Sequence, residues 1–160
     1  MHIKKLPFFI NHVLVECFYI FYNMGRGEIS MIKKEEVILV YNFKDKTELE
    51  KLKALLEKLK IKFIVADEKA YQQKVGYLFG LKGFNENEDD GSIFDFKYEL
   101  MMFHNFSRAR LDSVLKKMRE EEIKVPICKA IVTSFNRFWK LRRVCETMEK
   151  EHLSMSKEKN

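Results

Sequence analysis

This chain predicts an α/β fold, a four-stranded sheet built from two β-α-β-α halves with helices packed on it. Three observations predict it. Continuous apolar, β-branched runs alternate along the chain with stripes of helical period. Only two prolines and six glycines occur in 160 residues, too few for a turn-rich all-β protein. Hydrophobic residues make up 46% and charged residues 34%, which suits one soluble domain with a real core. Each β-α-β crossover is expected to be right-handed with its two strands parallel. Strand order is not written in the pattern, so a ferredoxin-like α+β mixed sheet is the alternative.

The first thirty residues stand apart. Lys4-Lys5 precedes an apolar run from Leu6 to Tyr22, but Asn11, His12 and Glu16 interrupt it. It falls short of the roughly 20 apolar residues of a membrane span, and no small-residue cleavage site follows. Gly25-Arg26-Gly27-Glu28 can be encoded by a purine-rich string resembling a bacterial ribosome-binding site, placed just ahead of Met31. Residues 1–30 are therefore expected to be an over-extended start. A membrane-associated segment and a packed element are the other readings.

From residue 31 a single domain is expected, with halves at about 35–80 and 98–152. The run Val37 to Phe43 is too continuous for an exposed strand, so it is expected to be buried on both faces. Thr47-x-x-Glu50 fits a capping box, and Leu49, Leu52, Leu56 and Leu59 make an amphipathic helix behind it. Ile61 to Ala66 predicts a second strand. A shorter helix follows, ending near Gly80. Residues 81–97 are polar and acidic and predict an exposed linker. Glu86, Glu88, Asp90 and Gly91 faintly resemble a calcium loop, but Lys97 stands where the bidentate glutamate is needed.

The order then repeats. Tyr98 to His104 predicts a strand, and Ser107 caps a helix striped by Leu111, Val114 and Met118. The fourth strand begins at Pro126. The last helix is expected from about Asn136, with Phe138, Leu141, Cys145, Met148 and His152 on one face. Asn42-Phe43 falls over Asn105-Phe106, and Leu52, Leu56 and Ile61 fall over Val114, Met118 and Ile123. That match is what an internal duplication would leave, although strand-then-helix grammar also recurs by chance.

Leu111-Asp112, Lys129, Ala130, Thr133, Asn136, Trp139, Glu151 and His152 carry a resemblance. Over Glu99 to His152 the sequence resembles the bacterial family known as domain of unknown function 3783. It departs from the family at Ser134-Phe135, where Pro-Thr is common. The resemblance implies a small bacterial, cytoplasmic α/β protein, and it brings no activity with it.

Candidate site residues follow from the strand ends, where α/β sheets bind ligands near helix N-termini. Thr133, Ser134, Asn136 and Arg137 offer hydroxyl, amide and guanidinium groups for a small anionic ligand; the simpler role of Asn136 is to cap the helix. Asn42, His104 and Asn105 close the first strand of each half, and His104 would suit a general base beside a carboxylate or thiol. The asparagines equally suit turns that bond local backbone. Cys128 precedes Lys129, but neighbouring strand residues face opposite sides. The phosphate-loop, dinucleotide, serine-hydrolase and zincin motifs do not occur. The sequence therefore points away from an enzyme. No metal or cofactor is expected, since Cys17, Cys128 and Cys145 are widely spaced. Reduced thiols indicate the cytoplasm.

A binding module for a small molecule or protein partner is the leading expectation. A nucleic-acid-associated protein using the basic last helix (Arg137, Lys140, Arg142, Arg143) is the alternative, and a small enzyme with polar strand ends comes third. The net charge of +6 is compatible with an acidic partner without requiring one.

Overall fold

A computed structural model describes residues 34–157. The expected start at Met31 and the segment before it lie outside the described residues. The elements are β1 (Val37–Tyr41), α1 (Lys46–Lys58), β2 (Lys62–Val65), a 3-10 turn (Ala70–Gln72) and α2 (Val75–Leu78). They recur as β3 (Leu100–His104), α3 (Arg108–Glu120), β4 (Cys128–Ile131), a second 3-10 turn (Asn136–Phe138) and α4 (Leu141–Lys157).

The four strands form one mixed sheet in the order β2-β1-β3-β4. Each half contributes a parallel pair, as the crossover rule requires. The halves meet through β1 and β3, which run antiparallel with Leu39 opposite Met102. Both central strands are covered on both faces, so their apolar runs are continuous. Ile38, Val40, Met101 and Phe103 pack under α1 and α3 with Leu52, Leu56, Val114 and Met118. Val37, Leu39, Leu100 and Met102 face the other way, against Tyr71, Val75, Leu141 and Cys145. Each such fully buried side chain contributes about 1.5–3 kcal/mol through apolar burial.

Local chemistry sets the ends of the helices. The N-cap of α1 is Asp45, whose carboxylate accepts from the N–H groups of Thr47 at 2.8 Å and Glu48 at 3.2 Å. This replaces the expected Thr47–Glu50 box: the aspartate lies two residues earlier and takes free donors of the first turn. Ser107 caps α3 as expected, accepting from Arg110 N–H at 3.3 Å.

The last helix is a larger departure. Asn136 starts only a three-residue 3-10 turn, and α4 begins at Leu141. Trp139 between them is extended, with φ −79° and ψ 147°. The cause is tertiary. Val75 N–H donates to the Trp139 carbonyl at 2.9 Å and Leu141 N–H donates to the Gln73 carbonyl at 2.8 Å, a reciprocal bridge between the halves. Phe138 consequently lies outside the helix and is 56% exposed, while Leu141, Cys145 and Met148 are buried as expected.

Residues 81–97 form no helix or strand, but they are more than an exposed linker. Phe96 is buried in the core, and Phe94 packs beside it. Asn87 donates its amide to the Gln72 carbonyl at 2.8 Å and exchanges two bonds with the Gln73 side chain. Tyr71 donates its hydroxyl to the Ser92 carbonyl.

Candidate binding cleft at the end of the second strand

The turns that follow β2 and β4 have the same backbone plan. In the first, the Asp67 carboxylate accepts from Lys69 N–H at 2.9 Å. In the second, the Thr133 hydroxyl accepts from the N–H groups of Phe135 at 3.3 Å and Asn136 at 3.1 Å. Each turn runs into its 3-10 segment and then into the reciprocal bridge.

The difference between them lies at the first residue of the 3-10 turn. Asn136 accepts from Thr133 N–H at 2.8 Å and donates its amide to the Ile131 carbonyl at 2.8 Å. Ile131 ends the edge strand β4, so this amide covers a peptide group that would otherwise face outward. The corresponding residue in the first half is Ala70, which has no amide.

At the other edge strand, β2, the matching carbonyl of Val65 has no such cover among the described residues. Lys62 N–H and Ala66 N–H donate to the carbonyls of Glu36, just before β1, and Val40 at 3.0 and 2.9 Å. Alternation along a strand then turns the peptide groups of Phe63 and Val65 outward. No side chain among the described residues reaches them, and Val65 is 54% exposed.

Beside this edge is a cleft of about 350 Å³, lined by Ile64 to Asp67, the first 3-10 turn, α2, and Glu86, Asn87 and Asp89. Three carboxylates, Asp67, Glu86 and Asp89, face one ammonium, Lys69. Lys69 bonds Asp89 at 2.7 Å, Gln72 donates to the same carboxylate at 2.9 Å, and Gly91 N–H donates at 2.9 Å. The Lys69 ammonium, then Gln72, then Gly91 hold the Asp89 carboxyl well below the usual carboxylate range. The wall is thus fixed and carries net negative charge.

The sequence-derived candidates do not gather in one pocket. The antiparallel centre of the sheet sends the ends of β1 and β3 to opposite ends of the sheet, so Asn42 lies away from His104, Asn105 and Thr133. Asn42 donates to the carbonyls of Phe96 at 2.6 Å and Tyr98 at 2.9 Å; Asn105 donates to Glu35 at 2.9 Å. These are not the local bonds expected of turn residues but contacts with the opposite half.

His104 is half-buried with its ring 5.5 Å from Phe79, and its Nδ1 has no hydrogen-bond partner. Burial, and then Lys34, lower its pKa. Thr133 and Asn136 satisfy each other, Ser134 is exposed, and the Arg137 guanidinium lies 4.9 Å from the Phe138 ring centre. The expected helix N-terminus at Asn136 is absent, and the first N–H of α4 is already bonded to Gln73.

Burial pushes the Cys128 thiol up to about 11, outweighing the opposing pull of Lys129, and raises Cys145 further. Lys129 Nζ is turned to the carbonyls of Pro126 at 2.6 Å and Ile127 at 3.2 Å. Among the described residues no three His, Cys, Asp or Glu side chains come together to hold a metal ion. No described helix is long and apolar enough to cross a membrane.

The sequence reading missed the cleft because 81–97 looked like a solvated connection. The alternation Ile93-Phe94-Asp95-Phe96, with the turn-forming Asn87, Asp89 and Asp90, was the available signal.

The matched stretch of the chain coincides with the half in which Asn136 covers the edge-strand carbonyl. Residues 99–155 match the family described as Domain of unknown function (DUF3783). The DUF3783 stretch runs from the start of β3 into α4, so Thr133, Asn136 and Trp139 within it do structural work: edge cover, turn and bridge. The open cleft belongs to the half that precedes it. No curated protein and no solved structure matches the chain.

Proposed function

We propose that the protein is a non-enzymatic binding module that takes an extended, basic segment of a protein partner along β2. The observation that carries this reading is the replacement of the Asn136 amide by Ala70, which leaves the β2 edge open beside an acidic cleft. Strand addition uses the outward peptide groups for affinity and flanking pockets for side-chain choice. Carboxylates at the cleft favour lysine or arginine over an anion. The reading needs no cofactor.

Repetition of the turn, the bridge and the paired asparagines supports an internal duplication in which one edge was later closed. The free, buried thiols of Cys128 and Cys145 support a cytoplasmic setting, and the resemblance of the second half supports a bacterial one.

The test is a titration of the full chain with a short alternating lysine–valine peptide, followed by amide exchange. Protection should rise at Phe63 and Val65. Val65→Pro removes an outward N–H without breaking the internal ladder and should weaken binding by roughly tenfold or more with the fold intact. Glu86→Gln should weaken it a few-fold, less so at high salt. Binding that ignores Val65→Pro would remove the edge from the proposal.

A further inference from the structure

We propose a second and independent binding surface on the turn after β4, fitted to single-stranded nucleic acid. Phe135 and Phe138 are 60% and 56% exposed, an unusual display of two large rings on four consecutive residues. Phe138 is held from below by Phe84, with ring centres 5.2 Å apart. Phe84 is itself fixed, because its ring covers Gly76 so closely that a Cβ there would lie 2.6 Å from it.

Two guanidinium groups lie on rings of the same turn. Arg137 lies over Phe138, and Arg143 lies 4.1 Å from the Trp139 ring centre. Among the described residues neither has a carboxylate partner in an ion pair. Their neighbours do: Lys140 is bonded to Asp90 at 3.0 Å and Arg142 to Glu146 at 2.9 Å. The basic face expected along the last helix is therefore partly neutralised. Arg137 and Arg143, without an ion pair among the described residues, lie instead against Phe138 and Trp139 of the turn.

The fold does not demand this chemistry. In the first half the same turn carries Lys69, Tyr71 and Gln72 where the second carries Phe135, Arg137 and Phe138. Exposed π faces stack bases, and unpaired guanidinium groups meet phosphates. Rings standing on a turn need unstacked bases, which a duplex does not offer.

Fluorescence anisotropy of the full chain with labelled oligouridylate and oligothymidylate, single-stranded and duplex, tests the inference at two salt concentrations. Single strands should bind tighter than duplex. Phe135→Ala and Phe138→Ala should each weaken binding about tenfold, while Phe135→Tyr should retain it. Arg143→Gln should weaken binding and flatten its salt dependence. Both rings are exposed, so thermal melts should confirm folded variants. Val65→Pro should leave this binding unchanged, which separates it from the β2 site. Ring variants that bind like the parent, equal or tighter binding of duplex, or no binding at low salt would each overturn the inference.

Discussion

Asn42 and Asn105 have φ of 61° and 63°, in the left-handed region that asparagine enters more readily than other side chains except glycine. Each follows the first strand of its half and sends its amide to distant backbone, Asn42 to Phe96 and Tyr98 and Asn105 to Glu35. Two effects are therefore separable at one position. Asn42→Gly keeps the backbone and loses the amide bonds, and should cost about 1–2 kcal/mol in urea unfolding. Asn42→Ala also meets the left-handed penalty and should cost about 1 kcal/mol more. Equal losses would mean that backbone strain contributes nothing. The pairing of the two asparagines was legible in the sequence, because Asn-Phe recurs after each run. Their partners were not, since Phe96, Tyr98 and Glu35 are 54 to 70 residues away.

At the scale of elements, α2 and α4 begin alike and end differently. After Leu78 the chain turns at Gly80, φ 65°, with Gly80 N–H bonded to Tyr77 at 2.8 Å and Leu81 N–H to Gly76 at 2.9 Å. That is a glycine-terminated helix end. The corresponding position in α4 is Glu146, and the helix continues to Lys157. The early stop returns the chain so that Phe84 can lie on Gly76. Gly76→Ala should destabilise the protein by about 1–3 kcal/mol through overpacking. Adding Phe84→Ala should recover part of the loss in thermal unfolding; no recovery would place the strain elsewhere. Apolar stripes located the helices, but the start of α4 was misplaced because Trp139 is held extended by a bond to Val75. Periodicity carries no information about such a partner.

Over the described residues, the two halves share one sheet and both of its cores. The central β1–β3 pair joins them, and the cores on both faces of the sheet draw side chains from each. Residues 34–157 should therefore unfold in one transition. Trp139, the chain's only tryptophan, reports on the second half, and its fluorescence should follow the same urea curve as far-ultraviolet circular dichroism. Separate midpoints would show halves of independent stability. By itself the sequence determined the alternation of strands and helices, the parallel pairing within each half and the two-sided burial of the run Val37 to Phe43. Those follow from local periodicity and crossover geometry. Only the tertiary structure decided that the halves meet antiparallel, which sends the strand ends to opposite ends of the sheet and scatters the candidate residues. It also decided that Asn136 covers the Ile131 carbonyl at one edge while, among the described residues, Ala70 leaves its counterpart uncovered, because an amide matters only where the chain brings it to a carbonyl.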